Sequence, residues 1–170
     1  MVNDEELKLL EQLAFGDISE RDFLNSYPIN LTQEKSYLTN LINATTKEKD
    51  GENLDLLLDA IASLELYKDF DYQSAYRKLI KENWHRMHEN LVDSLDKTAP
   101  NEDCFIHVLN QTYDYYADGV EDFMVPIWSK CLWSLYEVKS EKSIETIKQH
   151  VDSEYIYLKE TAKDLLSRVS

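Results

Sequence analysis

The chain has 170 residues and a formal net charge of -15, because 33 acidic residues outnumber 18 Lys and Arg residues. A chain of this length can bury a real hydrophobic core, since proteins near this size hide about 70% of their unfolded surface. The acidic balance argues against nucleic acid and anionic membranes as partners, and the lack of a run of roughly 20 apolar residues or of a basic signal-peptide start predicts a cytoplasmic protein.

Helix signals begin at the N-terminus. Asn3 followed by Glu6 forms a capping-box pattern, and the apolar residues after it predict a helix that ends near Gly16. Ser19 is expected to cap a short second helix, which ends before Pro28.

Apolar residues at helical spacing continue through the middle of the chain. Thr32 is expected to start a third helix, which closes in the charged loop 46–51. Helical periodicity over 54–66 and 76–95 predicts further helical segments, with a break at Asn83 in the second.

The C-terminal half repeats these start signals. Asn101, which follows Pro100, is expected to cap one helix, and Pro126 suits the first turn of the next. Ser140 and Ser153 are expected to cap the last two helices. No period-2 run of β-branched residues is long enough for a strand, so the sequence predicts an all-α fold with short connections.

Two pairs of predicted helices align at an offset of 31 residues. The first pair places Cys131, Leu135 and Val138 over Ala162, Leu166 and Val169. The second pair places Ala60, Leu64 and Tyr67 over Leu91, Leu95 and Thr98. These offsets predict a single domain, 1–170, in which N-terminal helices (1–50) precede antiparallel helix pairs stacked as a short α-solenoid (51–170). The alternative is an irregular helical bundle, because the apolar stripes of any amphipathic helices can be aligned in this way.

The step from Leu91 to Cys131 is 40 residues, and the surplus falls near an acidic stretch rich in aromatic residues. The run 98–129 contains no Lys or Arg. Tyrosine supplies rigid contact area, and carboxylates pair with cations of a partner, so this stretch resembles a docking surface for a basic protein. The predicted partner-binding residues are Tyr113, Asp114, Tyr115, Tyr116, Asp118, Glu121, Asp122 and Phe123. The alternative is an acidic loop whose tyrosines fold back onto the core.

His85 and His88, with Glu89 beside them, are residue types found in metal and catalytic sites. Two His at i and i+3 lie on one helical face, but zinc hydrolases use His-Glu-x-x-His or its inverted form, and this segment has neither. A third ligand would have to come from His107, His150 or an acid. We therefore expect no metal and a structural role for the imidazoles, which bond neighbouring carbonyls or acids.

Other residues of chemical interest also favour structural roles. Trp84 and Met87 are expected to pack inward. Cys104 and Cys131 are far apart in sequence and outside any Cys-x-x-Cys pair, so they are expected to be reduced and buried. No Ser-His-Asp or Cys-His set and no Gly-rich phosphate loop can be assembled, so the sequence predicts no catalytic residues, no enzyme activity and no cofactor.

Three segments carry a resemblance to a known family: 84–89 (Trp-His-Arg-Met-His-Glu), 130–135 (Lys-Cys-Leu-Trp-Ser-Leu) and 160–166 (Glu-Thr-Ala-Lys-Asp-Leu-Leu). They resemble the helical, HEAT-like immunity proteins of bacterial polymorphic toxin systems, including those of contact-dependent growth inhibition. The resemblance implies that the stacked helix pairs over 51–170 form a short HEAT-like α-solenoid. The resemblance covers roughly residues 55–169. One departure is Tyr136, which stands where such a repeat helix usually has Gly.

The resemblance implies a cytosolic immunity protein that binds the C-terminal domain of a cognate toxin as a monomer in a 1:1 complex. A nuclease is the expected toxin, because nucleases need positive charge to hold nucleic acid, and the acidic surface would cover that face. Secondary contact candidates are Trp84, His85 and His88. The alternative functions are a generic helical-repeat adaptor and, less favoured, a metal-dependent hydrolase built on the histidine helix.

Overall fold

The computed structural model describes residues 3–66, 70–98 and 100–169, and every regular element in these ranges is helical. The α-helices are α1 (Asp4–Ala14), α2 (Glu20–Ser26), α3 (Lys35–Glu48), α4 (Gly51–Ser63), α5 (Phe70–Leu79), α6 (His88–Thr98), α7 (Glu102–Leu109), α8 (Val125–Val138), α9 (Glu141–Gln149) and α10 (Ile156–Ser167). A 3₁₀ helix (Asp114–Gly119) and a π-helix (Val120–Met124) join α7 to α8. The all-α prediction is confirmed, whereas the stacking of helix pairs into a solenoid stays a prediction. In the described ranges, no helix combines the length and apolar character needed to cross a bilayer.

Most of the predicted caps form. The Asn3 side chain accepts hydrogen bonds from the amides of Glu5 and Glu6 at 3.1 and 3.0 Å, and the Glu6 carboxylate accepts from the Asn3 amide at 2.9 Å. Gly16 follows the end of α1 at φ +73, a left-handed conformation that glycine adopts without strain. Ser19 accepts from the Asp22 amide at 3.1 Å.

The C-terminal caps are confirmed in the same way. Asn101 accepts from the Cys104 amide at 3.1 Å, and Ser140 accepts from the Ser143 amide at 2.9 Å. A proline occupies the first turn of α8, as predicted. The break near Asn83 is also confirmed, because α5 ends at Leu79 and α6 begins at His88.

Two predicted starts and one loop differ from the structure. The hydroxyl of Thr32 donates to the Asn30 side chain at 2.7 Å instead of capping, and α3 begins three residues later. The hydroxyl of Ser153 accepts from the amide of Tyr155 at 3.2 Å, before α10 begins. In both cases a local hydrogen bond outside the helix competes with the cap. The predicted loop 46–51 is only two residues long in the structure, because α3 continues to Glu48 and α4 begins at residue 51.

The chain divides into two compact units, 1–90 and 91–170, a boundary that differs from the predicted division at residue 50. In the first unit, α1 packs on α2 and α4, and α3 packs on α4 and α5. Its fully buried residues include Leu10, Phe23, Ile42, Leu57, Ile61 and Tyr72. In the second unit, α8 is the central element and contacts α7, α9, α10 and the π-helix. Fully buried residues there include Phe105, Val108, Cys131, Leu132, Leu135, Ile147, Ala162 and Leu165.

Burial corrects the register that relates α8 to α10. The buried residues of α8 are Val125, Ile127, Trp128, Ser129, Cys131, Leu132, Ser134 and Leu135, and those of α10 are Leu158, Thr161, Ala162 and Leu165. At an offset of 30, all four buried positions of α10 match buried positions of α8, whereas at 31 only three of the four do. Leu166 is partly exposed and Val169 is 45% exposed. The predicted equivalence of Leu135 with Leu166 is therefore wrong, because a slip of one residue rotates a helical position by about 100°. In the predicted alignment of residues 60–67 with 91–98, Tyr67 lies outside the described residues.

Candidate partner-binding groove

Tyr113, the first residue predicted to bind a partner, belongs to the core. Its side chain is buried, and burial raises the pKa of its hydroxyl. The indole nitrogen of Trp128 donates to the carbonyls of Val108 and Gln111 at 3.0 and 3.2 Å, which fastens the preceding backbone to α8. For Tyr113 the fold-back alternative is correct, and its assignment as a contact residue is wrong.

The remaining described side chains of this segment reach the surface. Asp118, Glu121 and Asp122 are exposed, and Phe123 is 55% exposed. Tyr116 is partly exposed, and its ring centroid lies 5.9 Å from that of Phe123. The side chains of two other predicted contact residues, Asp114 and Tyr115, lie outside the described part of the structure.

Gly119 explains how the ring of Phe123 is positioned. A Cβ atom at residue 119 would lie 2.8 Å from two atoms of the Phe123 ring, closer than carbon atoms approach without a clash. Glycine therefore permits a close approach of ring and backbone that any larger residue would prevent. The ring lies over the end of the 3₁₀ helix with more than half of its surface exposed.

The π-helix and the start of α10 enclose a groove of about 480 Å³, here called the acidic groove. It is lined by Glu121, Asp122, Val125, Glu154, Tyr155, Ile156, Tyr157 and Glu160. Both walls pack on α8, and the ring of Trp128 contacts that of Tyr155 with centroids 5.5 Å apart. One central helix thus holds two segments that are about thirty residues apart in the sequence.

The acidic groove combines unpaired carboxylates with exposed apolar surface. Ile156 is 70% exposed and Tyr157 is 62% exposed, and Phe123 adds a third large side chain beside Asp122 in sequence. None of the eight lining residues is Lys or Arg. None of the four lining carboxylates forms an ion pair with any residue in the described ranges. The arrangement therefore offers apolar anchors within a negative field.

The second wall of the groove was missed in the sequence. Residues 153–160 read Ser-Glu-Tyr-Ile-Tyr-Leu-Lys-Glu, the same mixture of acids and aromatics as 113–123. Three consecutive large residues, 155–157, cannot all face the core from one helix, because successive side chains diverge by about 100°. That signal could have identified an exposed surface in this segment.

His85 and His88 are buried, so they cannot contact a partner, and their assignment as secondary contacts is wrong. Their rings stack at 4.4 Å, and each Nε2 donates to a backbone carbonyl, that of Leu79 or of Glu82, at 2.8 Å. His85 Nδ1 accepts from the amide of Met87 at 3.1 Å, so the ring is neutral, and burial lowers its pKa. The predicted structural role is confirmed.

Three other predictions concern this region and the thiols. Trp84 is partly exposed, and its indole donates to the Glu82 carboxylate at 3.2 Å. Cys104 and Cys131 are buried and are not joined by a disulfide, as predicted, and burial raises the pKa of Cys131. Among the residues that the structure describes, no group of three or more His, Cys, Asp or Glu is arranged to hold a metal ion.

Comparisons with protein-family models, curated proteins and solved structures gave no match to this chain. The case for a function therefore depends on the chemistry of the acidic groove. A surface with these properties can bind a protein that presents Lys or Arg around an apolar patch.

Proposed function

We propose that this chain is an immunity protein that neutralises a cognate bacterial toxin, and that the acidic groove covers a basic active-site surface of the toxin domain. One observation supports this most strongly. In the described part of the chain, the four carboxylates that line the groove with exposed Ile156 and Tyr157 form no ion pairs, and no Lys or Arg is among the described lining residues. The resemblance of 84–89, 130–135 and 160–166 to HEAT-like immunity proteins supplies the class of partner.

Each part of the groove has a distinct role in this function. Large apolar side chains at the centre of an interface contribute most of the affinity once water is excluded from them. Carboxylates at the rim accelerate encounter with a positive surface, and the rate then falls as salt screens the charges. A nuclease domain fits this partner chemistry, because its active-site face must be basic to hold nucleic acid.

Rescue of growth tests the function directly. The toxin domain encoded beside this chain is induced in cells that co-express wild-type protein, a groove variant (Glu121→Lys with Glu160→Lys) or a control (Glu11→Lys with Glu48→Lys). All four glutamates are exposed, so both double variants change the charge equally and leave the core intact. We expect rescue by wild type and by the control, and loss of rescue by the groove variant.

Two outcomes would contradict the proposal in different ways. Rescue by the groove variant as complete as that by wild type would show that another surface binds the toxin. Failure of the wild-type chain to rescue, together with capture of a different basic partner by the same groove, would favour the adaptor function.

A further inference from the structure

A second groove, of about 490 Å³, lies in the unit 1–90 and has the opposite charge. It is lined by Gln73, Ser74, Arg77, Lys78 and Lys81. Residues 74, 77, 78 and 81 follow the i, i+3, i+4, i+7 pattern, which places them on one face of α5 and of the turn after it. With no acid among the lining residues that the structure describes, these three cations reverse the charge locally in a chain whose net charge is -15.

These cations lack the partners that such an acidic chain could readily provide. None of Arg77, Lys78 and Lys81 forms an ion pair with a residue that the structure describes. Three like charges on one face repel one another, and no acid among the described residues pairs with them to offset that repulsion.

The helix dipole accounts for only part of this arrangement. Cations in the last turn of a helix are favourable, and Arg77 and Lys78 lie in the last turn of α5. The dipole does not account for Lys81, which follows the end of α5 and adds a third cation to the same face. An anion in the groove would relieve the repulsion among the three cations.

From this geometry we infer that the groove binds a small ligand carrying two or more phosphate groups. A guanidinium presents parallel N–H donors that match two phosphate oxygens, and lysine ammonium groups add point charges. The Ser74 hydroxyl and the Gln73 amide supply neutral donors in the same lining. This site is independent of the acidic groove, which is built from residues of the other unit.

Titration calorimetry with inorganic tripolyphosphate at low ionic strength tests the site in the full chain. We expect wild type to bind, and Arg77→Gln to bind about tenfold more weakly, because a charge-assisted pair is lost. Arg21→Gln is the matched control, since Arg21 is exposed in α2 and lies 3.8 Å from Asp22. Its affinity for tripolyphosphate should equal that of wild type.

The variant Lys78→Gln with Lys81→Gln keeps the test decisive if Arg77→Gln does not fold, because both lysines are exposed. Loss of tripolyphosphate binding in this variant would support the site. Unchanged affinity in every groove variant, or no binding by wild type, would overturn it. Equal binding of an oligoglutamate peptide of matched charge would also overturn the phosphate assignment and indicate an acidic protein segment as the ligand.

Discussion

Replacement of Ile156 by Ala separates the contribution of this side chain to binding from its contribution to folding. Full burial of a large aliphatic or aromatic side chain is worth about 1.5–3 kcal/mol. Ile156 is 70% exposed in the free chain, so about 1–2 kcal/mol of this remains to be gained on binding and only about 0.5–1 kcal/mol contributes to folding. The expected loss of affinity for the toxin domain is therefore about five- to thirtyfold.

Phe123→Ala should behave similarly with a somewhat smaller loss, because this ring is 55% exposed. Phe15→Ala is the matched control: Phe15 is 78% exposed, but it follows α1 in the other unit. Affinities are measured by calorimetry, and stabilities by urea midpoints. Equal losses of affinity in Phe15→Ala and Ile156→Ala would refute the assignment of the contact surface. Unchanged affinity in both Ile156→Ala and Phe123→Ala would refute it as well.

Three other predictions concern association kinetics, core packing and the dependence of stability on pH. Asp122→Lys should slow association with the toxin domain, and the difference from wild type should shrink as salt rises in stopped-flow measurements. Leu165→Ala should lower the free energy of unfolding by about 2–5 kcal/mol, because Leu165 is buried. Val169→Ala, at an exposed position, should change it by less than about 0.5 kcal/mol. Equal urea midpoints for these two variants would contradict the offset of 30. Burial lowers the pKa of His85 and of His150, so as the pH falls these side chains are protonated in the unfolded chain before they are protonated in the folded chain. The stability that the two neutral imidazoles contribute is present above about pH 6.5 and is lost as the pH falls below that value. The loss is at most about 1.4 kcal/mol per pH unit for each histidine. His85→Gln should reduce this slope in urea titrations at pH 7.5 to 5, and an unchanged slope would contradict it.

The sequence predicted features that depend on residues close together in the chain. The caps of Asn3, Asn101 and Ser140 were predictable because the acceptor and the amide that it binds are two or three residues apart. The acidic groove was only half predicted, since its two walls meet through packing on α8. Tyr113 was misplaced for the same reason: the hydrogen bonds that fold its segment inward come from Trp128, 15 residues later in the chain.

The charge of the acidic groove also predicts how copies of this chain behave toward one another. Exposed Ile156, Tyr157 and Phe123 could otherwise drive self-association, because apolar patches on a surface bind each other. A symmetric dimer through this face would bring the four carboxylates of each copy together, and like charges across an interface are costly. We therefore expect a monomer at low salt in sedimentation experiments. Any self-association should strengthen as salt screens the repulsion, whereas the complex with a basic toxin should weaken over the same range. A dimer that forms at low salt and dissociates at high salt would show that opposite charges join the copies, and would remove the reason to assign the groove to a basic partner.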